Sequence, residues 1–83
     1  MNVEKLVRSE LIGLNVNVIG KNIAGKIIDE TKNGILIETK KGRKMVIKIN
    51  NDFEFVFSDK RISVNGKQLA SRPEDRVKRK VNL

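Results

Sequence analysis

Four carboxylates in this sequence could do chemistry at a metal ion: Asp29, Glu30, Glu38 and Asp52. A two-residue turn at Asn33-Gly34 would place Asp29 directly opposite Glu38 on neighbouring strands, and two such carboxylates can hold Mg²⁺. The chain contains no histidine and no cysteine, which removes the usual general base, the commonest metal ligand and every thiolate site. An exposed acid pair neutralised by lysines is the simpler interpretation. We therefore expect no catalytic and no metal-binding residue.

A second candidate is the stretch GKNIAGK, residues 20–26, which nearly matches a phosphate-binding loop of glycine, four residues, glycine and lysine. Position 27 is isoleucine, so no hydroxyl is available for Mg²⁺. A strand pattern follows, whereas phosphate binding requires the N-terminus of a helix. The stretch therefore predicts a turn between two strands.

Phe53, Phe55 and Phe57 are the only aromatic residues, and they alternate along one segment. Stacking on nucleic-acid bases needs exposed rings, usually from more than one strand. One face of a single strand in a small domain is more typical of a core. Any nucleic-acid binding is then expected to depend on phosphate contacts and shape.

The net charge of +8 is concentrated near the C-terminus, where residues 60–83 hold eight bases and two acids. Such a surplus indicates a polyanionic partner, of which nucleic acid is the commonest. The alternative is a basic surface that serves only solubility.

The first residues have the apolar spacing of a short helix, with Val3, Leu6, Val7 and Leu11 on one stripe. Charges interrupt this stretch every few residues, so it predicts neither a signal peptide nor a membrane span. We expect a cytoplasmic protein.

From Leu14 onward the apolar period falls to two, with turn signals such as Asn33-Gly34 and Asn65-Gly66 between short segments. The predicted strands are LNVNVI, GKIIDET, ILIET, MVIKI, FEFVF, RISV and KQLA. Closing such a meander into a small barrel removes its exposed edges. The sequence predicts one mainly β domain at 14–70, a helical extension at 1–13 and a basic helical extension at 71–83.

The C-terminal stretch SRPEDRVKRK, residues 71–80, has acids first and bases last, as the helix macrodipole favours. Ser71 and Glu74 have capping-box spacing, whereas Pro73 at a first helical position would make Arg72 the cap. A helix this short needs a surface to dock on. Arg72, Arg76 and Arg79 are expected to face RNA phosphates or the acids of a partner.

Several of these segments, in this order, resemble archaeal ribonuclease P protein component 1: ELIGLNVNVI, GKIIDETKNGILIET, GRKMVIK, FEF, VNGKQL and RPEDRVKR. The resemblance covers residues 10–80, although the loop GKNI is shorter than in many family members. It implies an Sm-like antiparallel β-barrel of about six strands with short helical extensions at both ends. It also implies membership of the ribonucleoprotein that removes 5′ leaders from precursor tRNA.

The resemblance further implies that the RNA performs the chemistry, with Mg²⁺ at the catalytic RNA and no cofactor on this chain. The implied partners are ribonuclease P RNA, ribonuclease P protein component 4, the other protein subunits and, indirectly, precursor tRNA, with no membrane. The expected RNA-binding residues are all basic: Lys21, Lys26, Arg43, Lys44, Lys60, Arg61, Arg72, Arg76, Arg79 and Lys80. The expected partner-protein contacts are apolar: Val3, Leu6, Val7 and Val77.

Three other classes remain open from the residues alone. A stand-alone nuclease would depend on Asp29 or Glu38. A ribosomal or translation-associated barrel of the SH3-like type would bind ribosomal RNA, and a DNA-binding regulator would prefer duplex DNA.

Overall fold

Six antiparallel strands dominate the computed structural model, which describes residues 2–78, with Val77 and Lys78 described by their backbone alone. In chain order the elements are α1 (Val3–Val7), β1 (Asn15–Val18), β2 (Ile23–Glu30), β3 (Gly34–Thr39), β4 (Gly42–Ile47), β5 (Asp52–Val56), β6 (Arg61–Asn65), a 3₁₀ helix (Gly66–Leu69) and α2 (Pro73–Lys78). The strand order across the sheet is β4-β3-β2-β1-β5-β6. The predicted mainly β class is confirmed. In the part of the chain described, no helix is long and apolar enough to cross a membrane.

The predicted barrel is not closed, because the edge strands β4 and β6 are not paired with each other. KQLA, predicted as a strand, mostly falls in the 3₁₀ helix, which Asn65 caps by accepting from Lys67 N at 2.8 Å. The two ends of the sheet nevertheless approach each other where Gly66, just after β6, lies against the backbone of Lys48, just after β4. A Cβ at position 66 would lie 1.6 Å from Lys48 O, so this approach requires glycine.

β2 carries a bulge where its register with β3 shifts between Ile27 and Asp29. The turn between β2 and β3 lies at Lys32-Asn33, since Thr31 N donates to Gly34 O at 2.9 Å, one residue earlier than the predicted turn. This turn places Asp29 opposite Leu36, and the bulge beyond it places Glu38 opposite Lys26. The predicted pairing of Asp29 with Glu38 is therefore wrong, because the turn is displaced by one residue.

The inner face of the sheet holds the core, as the alternation of apolar residues predicted. Phe53 and Phe55 are fully buried, and Val16 and Val18 pack beside them from the neighbouring strand. Phe57, predicted to be buried, lies beyond the end of β5 and is only partly buried. The core interpretation of the aromatic strand is confirmed for the two rings within the sheet.

α1 packs on this core instead of presenting its apolar stripe to a partner. Leu6 is fully buried and Val7 is 8% exposed, while Val3 is half-buried. The structure thus corrects the expected partner contacts at Leu6 and Val7. A helix of five residues is unstable alone in water, and the contacts of Leu6 and Val7 with the core stabilise it here. Asn2 caps the helix by accepting from Lys5 N at 2.9 Å.

A buried ion network joins the sheet to both terminal helices. Glu30 at the end of β2 accepts from Lys48 Nζ at 2.7 Å and from the Arg76 guanidinium of α2. All three side chains are shielded from solvent. Burying three charges is tolerable only when every charge has partners, and each here has more than one.

Arg76 extends the network to the N-terminal helix. Its Nη1 donates to Val7 O at 2.7 Å and to Ser9 O at 2.6 Å, satisfying carbonyls at and just beyond the end of α1. The structure corrects the prediction that Arg76 binds RNA, because its guanidinium is bound inside the protein.

Lys48 links the Glu30 carboxylate to the backbone at the start of the C-terminal segment, residues 71–78. Its Nζ donates to Ser71 O at 3.0 Å and to Thr31 O at 2.7 Å in addition to Glu30. Burial lowers the pKa of Lys48 below its ordinary value of 10.5, and the nearby Arg76 charge lowers it further, whereas Glu30 opposes the shift. α2 begins at Pro73, so Arg72 occupies the cap position, and Arg76 N donates to Arg72 O at 2.9 Å.

We expect Glu30→Gln to lower the free energy of unfolding by about 3–5 kcal/mol, because it leaves two buried cations without their counter-charge. Urea unfolding measures the change. Glu38→Gln is the matched control, since Glu38 is exposed and should change stability by no more than about 0.5 kcal/mol. Equal stability of the two variants would show that the network contributes nothing.

The lowered pKa of Lys48 predicts a pH dependence. Between that pKa and 10.5, the unfolded chain binds more protons than the folded one. The associated stabilisation is complete above 10.5 and is lost as the pH falls through the folded pKa. The unfolding free energy of the wild type minus that of Lys48→Met should therefore rise as the pH is raised towards 10.5. A difference independent of pH would mean that the pKa is ordinary.

Candidate nucleic-acid interface

One row of directly paired residues crosses all six strands. From edge to edge it runs Arg43, Glu38, Lys26, Asn15, Val56 and Arg61. Paired residues in an antiparallel sheet point to the same face, and all six are exposed or half-buried. The row therefore lies on the outer face. It brings together three of the predicted RNA-binding residues, with Arg43 and Lys26 two strands, or about 10 Å, apart.

An open groove, here called the sheet groove, crosses the same face. It is lined by Asn15, Asn17 and Ala24 from the central strands, and by Lys40 and Arg61 from elements on either side of them. Amide side chains can donate to phosphate oxygens, and cations on both sides can neutralise their charge. This arrangement fits a phosphate backbone lying across the sheet.

Acidic side chains near the groove partly neutralise its positive charge. Glu54 accepts from Asn17 Nδ2 at 3.0 Å and lies 3.5 Å from Arg61 Nη1, and Glu38 lies 4.0 Å from Arg43 Nε. The Arg61 and Arg43 side chains are 66% and 67% exposed. Such exposed pairs contribute little energy, so a phosphate can compete for either guanidinium.

A second basic feature is the hairpin cluster, defined as Lys40, Lys41 and Lys44 of the β3–β4 hairpin. Thr39 Oγ1 orders the turn by accepting from Lys41 N at 3.1 Å and donating to Gly42 O at 2.7 Å. The three lysines line a depression beside the β1–β2 turn. Lys40 and Lys41 were not among the predicted RNA-binding residues. The run KKGRK, with four bases in five residues, is the signal that could have identified them.

Among the remaining predicted bases, the three that the structure describes lie in separate segments of the chain. Lys21, Lys60 and Arg72 are exposed, but they lie in the β1–β2 turn, in the β5–β6 turn and before α2, respectively. Arg79 and Lys80, and the side chain of Val77, lie outside the described residues. The assignments of these six residues to RNA or partner contacts stay predictions.

The features considered for other chemistry take ordinary structural roles. The stretch GKNIAGK contains the turn between β1 and β2, with positive φ at Gly20 and Asn22, and a strand follows it as predicted. Within residues 2–78, no group of three His, Cys, Asp or Glu side chains could hold a metal ion. Glu30, one of the four candidate carboxylates, is committed to the ion network.

Fold and surface together define a small, mainly β protein with a basic outer sheet face. A model of the family described as ribonuclease P/MRP, subunit p29 matches residues 4–79. The chain therefore belongs to this family, which confirms the resemblance found in its sequence segments.

Individual relatives agree with the family assignment. Ribonuclease P protein component 1 of Methanosphaera stadtmanae is 41% identical over 86 residues, covering 93% of this chain and 90% of the relative. The protein of the same name from Methanocaldococcus jannaschii is 40% identical over 85 residues, covering 94% and 90%. The solved structure of Mth11, a homologue of human RNase P protein Rpp29, is similar with a TM-score of 0.55 at 33% identity, covering 82% of this chain and 97% of that one.

The sheet groove makes a prediction about salt dependence. Removing two phosphate contacts should make the slope of log affinity against log salt shallower by about two. We expect this for Lys40→Ala combined with Arg61→Ala, measured with ribonuclease P RNA. Lys5→Ala with Lys67→Ala removes the same net charge from exposed positions outside the groove and should leave the slope nearly unchanged. Equal slopes for both double variants would mean that only net charge matters.

Proposed function

We propose that this chain is an RNA-binding protein subunit of ribonuclease P, which matures the 5′ ends of tRNA. It binds the RNA of the enzyme through the sheet groove and the hairpin cluster, and supports the folding of that RNA and substrate recognition. Precursor tRNA is then an indirect partner. Family membership supports the assignment to ribonuclease P. The basic outer face of the sheet supports the proposal that the chain binds RNA through its phosphates.

The observation that carries the RNA-binding role is the division of charged residues between the inside and the outside. Arg76 and Lys48 are used internally with Glu30, whereas Lys26, Lys40 and Arg61 lie on the outer surface of the sheet. Bases that serve only the fold would be paired in this internal way. The exposed ones are placed for a polyanion.

We further propose that the chemistry lies outside this chain. Asp29 lies opposite Leu36 and Glu38 lies opposite Lys26, and Glu30 is bound by two cations. The Mg²⁺ that ribonucleoprotein cleavage needs is then held by the RNA, and this chain carries no cofactor.

The proposed protein partners include ribonuclease P protein component 4 and other subunits. At the N-terminal side, the surface that α1 leaves accessible is narrower than predicted. It is a groove between α1 and the 3₁₀ helix, lined by Val3, Glu4, Val7, Arg8 and Gln68. Val3, which is half-buried, retains the predicted role of a partner contact.

Reconstitution tests the proposal. Precursor-tRNA cleavage is measured with the RNA and the remaining subunits, with and without this chain at limiting Mg²⁺. We expect the chain to raise the cleavage rate, and Lys40→Glu with Arg61→Glu to abolish most of that increase. Lys5→Glu with Lys67→Glu is the charge-matched control and should retain it.

Two results would contradict the proposal. Cleavage by the purified chain alone, lost in Asp29→Ala, would identify a stand-alone nuclease. A rate that does not respond to the chain would remove it from the enzyme.

A further inference from the structure

The two edge strands of the sheet differ in what they expose. In β3–β4, a two-residue turn joins the paired residues Thr39 and Gly42, which makes this pair a hydrogen-bonded one. Hydrogen-bonded pairs then recur at every second residue, and Lys48 N donating to Asn33 O at 2.8 Å continues the series. The N–H and C=O groups of Arg43 and Met45 therefore point away from the sheet.

The same reasoning applies to β6. Phe57 N donates to Lys60 O and Gly66 N to Asn51 O, so the residues of β6 that are hydrogen-bonded to β5 are Ile62 and Val64. The outward-pointing set is Arg61, Ser63 and Asn65, all exposed and polar. Polar and charged side chains are the usual protection of an edge strand against pairing with another chain.

β4 lacks this protection over half of its length. Met45 is 55% exposed and Ile47 is 54% exposed, and Ile49 just beyond the strand is 50% exposed. An exposed apolar edge with free backbone groups is a template for an additional strand. The contrast between β4 and β6 shows that the fold protects one edge and leaves the other open.

Space for an additional strand lies beside β4. An open cleft is lined by Met45 and Ile47 of β4, and by Lys21 and Ile23 of the β1–β2 segment. It lies at the edge where the predicted barrel fails to close. Ile47 O already accepts from Asn51 Nδ2 at 2.7 Å, so an additional strand of about five residues, or about 17 Å, would form its backbone bonds with Arg43 and Met45.

We propose that β4 is a docking edge for an extended segment of a partner protein, which adds a strand to the sheet. Its alternate residues are apolar opposite Met45 and Ile47 and acidic opposite Arg43, which is exposed beside them. The proposal stands independently of RNA binding, since it depends on the edge of β4 and not on the sheet groove.

Charge and chemistry favour this occupant over two others. A second copy of the chain would bring another net charge of +8 against the first, with bases at 41, 43 and 44 in each β4 hairpin. RNA would gain nothing from Met45 and Ile47, whose exposed groups are apolar. A peptide strand satisfies the free backbone groups, the apolar side chains and the arginine together.

The test uses the full chain labelled with ¹⁵N and a synthetic seven-residue peptide. The peptide has isoleucine, valine and glutamate at alternate positions, separated by threonine. A second peptide has these three residues in the reverse order, so that both strand directions are tested. We expect binding to slow hydrogen exchange at the Arg43 and Met45 amides. The same peptide with lysine in place of glutamate should bind more weakly.

Two variants locate the contact. Met45→Pro removes an outward-pointing N–H without removing a bond to β3, and should weaken peptide binding at least about fivefold, the effect of one lost hydrogen bond. Ser63→Pro makes the same change on β6 and should leave binding unchanged. Met45→Thr with Ile47→Thr keeps the backbone intact and should also weaken binding, which preserves the test if the proline variant misfolds.

Other outcomes would overturn the proposal. These are no slowing at Arg43 and Met45 with either peptide, equal binding of the lysine peptide, or loss of binding in Ser63→Pro. Slowing at the same amides on adding ribonuclease P RNA alone, or on raising the concentration of the chain alone, would assign the edge to RNA or to a second copy instead.

Discussion

A single buried carboxylate organises the structure. Glu30 holds Lys48 from the segment after β4 and Arg76 from α2, and Arg76 in turn binds the carbonyls that end α1. Neither terminal helix is long enough to be stable alone, and both meet at this one guanidinium. Removing charges from water is costly unless all are paired, so the network forms only when β2, the β4–β5 segment and both helices are in place. It therefore specifies how the ends of the chain join the sheet.

This constraint also decides which bases remain for a ligand. The C-terminal stretch holds much of the positive charge, but its central arginine is used internally. The outer face of the sheet becomes the better-defined basic surface, with Lys40 and Arg61 on either side of a groove that the central strands line. Because Phe53 and Phe55 fill the core, that surface offers amides and cations instead of aromatic rings. Binding through phosphates and shape follows from this division.

Period-two alternation predicted the six strands and the buried rings of Phe53 and Phe55, because one buried face of a sheet leaves that pattern in the sequence. It failed at KQLA, most of which forms a 3₁₀ helix, and at Phe57, which lies beyond the end of β5. Glu30 and Lys48 interrupt apolar segments, and nothing local indicated that each was the partner of the other, 18 positions away along the chain. The β2–β3 turn lies at Lys32-Asn33, one residue before the Asn-Gly pair that predicted it, so the pairing of Asp29 with Glu38 was wrong. The run KKGRK places four bases in one hairpin, and this local pattern is the signal from which Lys40 and Lys41 could have been predicted.

α2 stabilises the fold because its Arg76 binds Glu30 of β2 and the carbonyls at the end of α1. Urea unfolding of a chain that ends at residue 70 tests this role. The truncated chain should lose about 3–5 kcal/mol of unfolding free energy, the cost of breaking a buried ion pair, or fail to fold. Arg76→Met in the full-length chain should lose a similar amount, because most of the effect passes through that side chain. Unchanged stability on truncation would contradict the account, and so would a large loss on truncation with none in Arg76→Met.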